Sequence, residues 1–156
     1  MHEIYSCAVG LKSPAHITIV PPFWMEEEKE KQLITDVNEL SIEWESFDLS
    51  TNNFSAFKPK TIFIELSAND NLHRLKKKTD VFFNEKKEYK IKTDSRTFHP
   101  HITIATRDLF KKDFMEAWPH FSEKKFIEKW KVKGLSLLKH NQKNWDVVHT
   151  SQFKNL

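Results

Sequence analysis

The tetrapeptide His-Ile-Thr-Ile stands twice in this chain, at His16-Ile17-Thr18-Ile19 after Pro14 and at His101-Ile102-Thr103-Ile104 after Pro100. Each copy is a short β-prone run, the first stopped by Pro21-Pro22, so each predicts a strand. The residues after each copy also match. The first leads into Glu26-Glu27-Glu28 and then Leu33, Ile34, Val37 and Leu40 at helical spacing, with the acids where a helix N-terminus favours them. The second leads into Asp108, placed to cap a helix, then Phe110, Phe114, Trp118 and Phe121. A chain that repeats strand-then-helix around one tetrapeptide is constrained to a duplicated fold.

The remaining elements complete the repeat. Residues 47–57 and 61–67 predict two strands, Ile62 and Ile64 alternating with Phe63 and Glu65. Residues 126–139 and 145–150 predict another pair, with a bulge at Gly134. Leu72, Leu75, Thr79 and Phe82 mark a helix over 71–85. Each half therefore reads β-α-β-β. The expectation is an α+β fold of one domain over 1–156, with a first lobe over about 1–70, a second over about 71–156, and two antiparallel sheets lining a central cleft with helices outside. Symmetry also predicts a strand and helix before His16, and only fifteen residues stand there. The opening strand and most of the first helix are therefore expected to be missing.

Composition narrows the class. One domain fits 156 residues, and thirteen Phe and five Trp supply core material. Cys7 is alone, which excludes an intrachain disulfide and fits a reducing, cytoplasmic setting. No apolar run approaches the roughly 20 residues that span a bilayer, so no membrane partner is expected. The formal charge of +3, from 25 basic and 22 acidic residues, would ease the approach of phosphate without demanding it. Lys76, Lys77, Lys78, Lys86 and Lys87 could form a basic approach surface, but a solvated helix face explains them as well.

On a strand, His16 and Thr18 share one face and Ile17 and Ile19 the other, and the same holds at His101 and Thr103. A lone His-x-Thr is usually just a polar strand face. A structural strand, however, has no need of histidine at both equivalent positions. If the two faces converge, one imidazole can take a proton while the other gives one near neutral pH. Opening a cyclic phosphodiester needs both: a base for water and an acid for the departing ribose oxygen. Thr18 and Thr103 would donate hydrogen bonds to the phosphate oxygens, and this scheme calls for no metal or other cofactor.

At these residues the chain resembles the 2H phosphoesterase superfamily, in particular the 2′-5′ RNA ligase or 2′,3′-cyclic phosphodiesterase branch, which is defined by two His-x-Thr/Ser-hydrophobic motifs. Pro before each motif, Phe98-His99-Pro100, and Phe54/Phe57-Lys58-Pro59 before the 62–66 strand extend the likeness along nearly the whole chain. The resemblance implies the bilobal fold, with His16 as acid on the leaving oxygen and His101 as base on water. It implies hydrolysis of 2′,3′-cyclic phosphate ends of RNA or nucleotides, with 2′-5′ ligation as a minor activity. The basic residue found shortly after the second motif in the family stands here as Arg107, one place later than in the commonest pattern.

Phe57, Phe98 and Arg107 are the further candidates for substrate contact, although core packing is the simpler reading of the two rings. His99 and His101 share a strand face, but no carboxylate or cysteine spacing completes a ligand set, so no metal is expected. The expected partner is an RNA or nucleotide with a cyclic phosphate end, bound by a monomer. A nucleotide-binding module of the same fold without turnover, or an esterase acting on another phosphodiester, are the alternatives.

Overall fold

The structure, a computed structural model, describes residues 1–92 and 96–154, without the side chain of His2. The described residues form four α-helices, α1 (His2–Tyr5), α2 (Glu30–Ser41), α3 (Asp70–Glu85) and α4 (Lys111–Ser122). Six strands accompany them: β1 (Phe47–Phe57), β2 (Thr61–Leu66), β3 (His101–Ala105), β4 (Lys129–Val132), β5 (Gly134–His140) and β6 (Trp145–Gln152). They form two antiparallel sheets, one of four strands in the order β3-β2-β1-β4 and one pairing β5 with β6. The class is α+β, as the periodicities predict.

The helices form where the apolar spacing places them. α2 buries Leu33, Val37 and Leu40, and α3 buries Leu72 and Leu75. Each fully buried leucine contributes about 2 kcal/mol. Asn69 starts α3, its side-chain oxygen accepting from the Leu72 amide at 3.0 Å. No helix among the described residues is long and apolar enough to cross a membrane.

Several sequence expectations are corrected. Residues 16–20 are not a strand; the run has β-prone residues, but strand pairing depends on a partner edge that local sequence does not supply. Residues 126–139 are not one strand, because β4 joins the first sheet and β5 the second. Gly134 marks that switch rather than a bulge, since a Cβ there would lie 2.1 Å from the Ser151 carbonyl oxygen. Thirdly, Asp108 does not cap α4, whose N-cap is Phe110 without a side-chain hydrogen bond. The sheets also do not follow the sequence halves: β2 of the first half pairs with β3 of the second, and β1 with β4.

The four-stranded sheet has an apolar face and a face that carries His101. Ile62 and Ala105 pack with Phe114 and Ala117 of α4, and Leu66 and Ile102 with Leu72 and Leu75 of α3. Helices therefore cover the face opposite His101 and Thr103. A third cluster joins α2 to the end of α3 through Leu33, Val37, Leu40, Phe83 and Tyr89, with Val20, Phe23 and Met25 from the segment after the first motif.

Beside that third cluster lies a polar knot. Asp36 is buried and accepts hydrogen bonds from the Tyr89 hydroxyl, from Lys86 at 3.0 Å and from Gln32 at 3.0 Å. Burial pushes the Asp36 carboxyl up, but these three donors outweigh it and hold it below the usual carboxylate range. A depressed folded value means the stabilisation is fully present above the unfolded value of about 4 and is lost as pH falls through the folded one. Asp36→Ala strands the buried Tyr89 hydroxyl and leaves Lys86 to Glu39 at 3.9 Å, and should cost about 2 kcal/mol in urea unfolding at pH 7. The gap to wild type should narrow as the pH is lowered below 4.

Candidate active site

His101 is the first residue of β3, and Thr103 lies two places on, along the same face. Their partners across β2 are Glu65 and Phe63, with the register slipping between Phe63 and Ile62 so that Ile104 is the extra residue. The ring of Phe63, buried to 1%, lies 4.9 Å from that of His101. Phe57, 45% exposed, meets His101 edge-on at 5.2 Å and Phe63 at 4.4 Å. His99 touches both phenylalanines at 5.3 and 5.5 Å and stands 6.2 Å from His101. The second motif histidine is thus set in an aromatic surround with Phe63 as its floor and Phe57 as its exposed wall.

The first motif has no strand, yet it keeps the strand's alternation. His16 and Thr18 are exposed while Ile17 and Ile19 are half-buried. Ile17 and Ile19 pack into the same apolar cluster as Ile102 of the second motif, so the two motifs share one anchorage.

The two histidines are held alike. Nδ1 of His16 bonds the Pro14 carbonyl oxygen at 2.7 Å, and Nδ1 of His101 bonds the His99 carbonyl oxygen at 2.7 Å. A carbonyl only accepts, so in both rings Nδ1 carries the proton and Nε2 is left to exchange protons with a ligand. The same two-residue loop sets the same tautomer twice, although only one copy lies on a strand.

The segment leading to His16 is fastened to the segment after His101. Asp108 accepts from the amides of Ala8 at 2.6 Å and Val9 at 2.8 Å through one carboxylate oxygen. Gly10, in the 3-10 turn Val9–Lys12, lies so close to β3 that a Cβ would stand 2.4 Å from the Ile104 carbonyl oxygen. The glycine is needed for that approach, since the obstacle is backbone.

The other sequence candidates fall elsewhere. Phe98 is not among the rings that touch His101; it meets His73 of α3 edge-on at 5.4 Å, lies beneath Lys76 at 5.8 Å, and joins the cluster under α3. Arg107 is exposed, two residues beyond the end of β3. The lysine clusters are largely engaged by acids, Lys76 with Asp80, Lys78 with Glu43 and Lys86 with Asp36. Among the described residues no group of three or more His, Cys, Asp or Glu side chains could hold a metal ion. Two hollows, of about 450 and 660 Å³, lie between β1 and β4 near the start of α3 and between α1 and α4. Neither is lined by a motif histidine; His16 is exposed and His101 half-buried. Sequence reasoning left Glu65 and Phe63 without a role at the site, although their alternation with Ile62 and Ile64 already separates them from the apolar face.

An α+β fold with two His-x-Thr faces, each ring tied through Nδ1, defines a class, and comparison with known proteins agrees. Residues 7–144 match the 2'-5' RNA ligase superfamily, and the chain belongs to that superfamily of 2H phosphoesterases. It is 28% identical over 108 residues to "Putative phosphoesterase" of Geobacillus sp. (strain WCH70), a match covering 67% of this chain and 58% of that protein. It is 32% identical over 99 residues to the protein of the same description from Geobacillus kaustophilus, covering 62% and 53%. These matches thus span little more than half the length of either relative. The fold is similar to the crystal structure of TT0787 of Thermus thermophilus, with a TM-score of 0.66 at 17% identity over 89% of this chain and 78% of that one.

The contact between Gly10 and Ile104 supplies a stability test. Gly10→Ala forces two backbones apart and should lower the urea unfolding free energy by about 1–3 kcal/mol. An unfolding midpoint equal to that of wild type would show that the turn is not seated on β3.

Proposed function

We propose that the chain hydrolyses a phosphodiester, specifically a 2′,3′-cyclic phosphate at the end of an RNA or nucleotide, with His16 and His101 as its acid/base pair. The observation that carries this reading is the matched Nδ1 tie of the two histidines. It leaves two Nε2 atoms, one to take a proton and one to give it. Membership of the superfamily and the likeness to relatives described as phosphoesterases support the reaction class.

In the proposed reaction His101 Nε2 takes a proton from water, and the water oxygen attacks phosphorus. The bond from phosphorus to the ribose 3′ oxygen breaks, and His16 Nε2 gives that oxygen its proton, leaving a 2′-phosphate. Thr18 and Thr103 donate to the non-bridging oxygens as charge builds there. Phe57, exposed and edge-on to His101, is the ring we assign to the adjoining nucleoside. The residues of this scheme include no metal ligand, and 2′-5′ ligation is the same step with the 5′-hydroxyl of a second strand in place of water. The compartment we propose is the cytoplasm, where Cys7 stays reduced.

The test is hydrolysis of nucleoside 2′,3′-cyclic phosphates and short cyclic-phosphate-ended RNAs, with EDTA present. Wild type should turn them over, while His16→Ala and His101→Ala should each lose at least about a hundredfold in kcat. Folded wild-type protein that binds these ligands without turnover would instead favour a binding module.

A further inference from the structure

We propose that Glu65 sets the charge the site accepts: its carboxylate, beside His101, admits a singly charged phosphodiester and disfavours the doubly charged phosphomonoester that hydrolysis leaves. This inference rests on the hydrolytic reading above.

The register places it. Glu65 of β2 is the direct partner of His101 on β3, and side chains of directly opposed residues leave the same face with Cβ atoms about 5 Å apart. Phe63 and Thr103 are opposed in the same way, so Glu65 lies on the face that carries both motif side chains. Its side chain is 34% exposed and so meets solvent where a phosphate held by His101 would sit. Among the described residues the cation within ion-pair reach is His99, whose Nε2 is 3.8 Å from the Glu65 carboxylate, and that pairing requires His99 to be protonated.

A site shaped for phosphate affinity alone would carry lysine or arginine at this position. A carboxylate there acts by difference. The cyclic diester carries one negative charge. When water adds and the ribose oxygen leaves, the product gains a second ionisable oxygen with a pKa of about 6, so at neutral pH it sheds a proton and approaches two negative charges. Two unit charges roughly 6 Å apart in a water-like medium change binding by about threefold. Glu65 therefore weakens the diester by about threefold and the monoester by about tenfold. The repulsion rises on completion of the reaction, which favours release of product over its retention.

The experiment compares wild type with Glu65→Gln, which keeps the shape and removes the charge, at pH 7.5. Adenosine 2′-monophosphate is titrated as a competitive inhibitor, adenosine 2′,3′-cyclic phosphate as substrate. The inhibition constant of the monoester should fall about tenfold and the KM of the cyclic phosphate about threefold, both shifts shrinking in high salt. Glu65→Lys should extend both in the same direction, the monoester again more. Equal shifts for the two nucleotides, or none in a folded variant, overturn the proposal. If wild type shows no turnover, dissociation constants of the same two nucleotides replace the kinetic ones. Discrimination without turnover would then sink the esterase reading and leave the charge gate standing, whereas turnover without discrimination would do the reverse. Failure to bind either nucleotide would sink both.

Discussion

The carboxylate of Asp108 holds the segment before the first motif to the segment after the second, and the proposed pairing of the two histidines would depend on that fastening. One oxygen takes the amides of Ala8 and Val9, and the adjoining turn sets Gly10 against the Ile104 carbonyl. Two amides that half-burial would otherwise leave without water are satisfied by a charged acceptor, which is the stronger kind of hydrogen bond. Without it the residues leading to His16 would have only side-chain packing to hold them near β3. The motifs lie far apart in sequence, so the entropy of bringing them together must be offset by contacts of this sort.

The site combines a local symmetry with a tertiary asymmetry. The ring-to-carbonyl tie repeats at His16 and His101 because it needs only two residues of chain. The surroundings do not repeat. His101 has a strand on one side, Phe57, Phe63 and His99 about its ring, and Glu65 opposite, whereas His16 is exposed and held by the isoleucines just beyond it. If the two rings divide acid and base between them, as proposed, the division would come from these surroundings rather than from the motif, which is the same in both.

Much of this was legible in the residues, and the rest was hidden for a physical reason. The periodicity of Leu33, Val37 and Leu40, and of Leu72 and Leu75, located two helices because a helix buries a stripe defined by its own sequence. The repeated tetrapeptide led to the family, and its alternation of exposed and half-buried residues survives even at 16–19. Strand pairing was not legible, because it is decided by partners far along the chain: the same tetrapeptide is a strand at 101–105 and none at 16–19. Nor was the change of sheet at Gly134, which reflects the closeness of Ser151. Asp108 has the look of a helix cap, and only the fold reveals that its acceptor serves Ala8 and Val9.

The absence of a ladder at 16–19 gives the two arms of the site different responses to temperature. His101 is carried by backbone hydrogen bonds to β2, while His16 is carried by Ile17 and Ile19 against the shared apolar cluster. Apolar contact weakens on cooling because its driving force near room temperature is entropic. Cooling therefore weakens the contacts of Ile17 and Ile19, and leaves the hydrogen bonds of Asp108 to Ala8 and Val9 as the hold on the segment before His16.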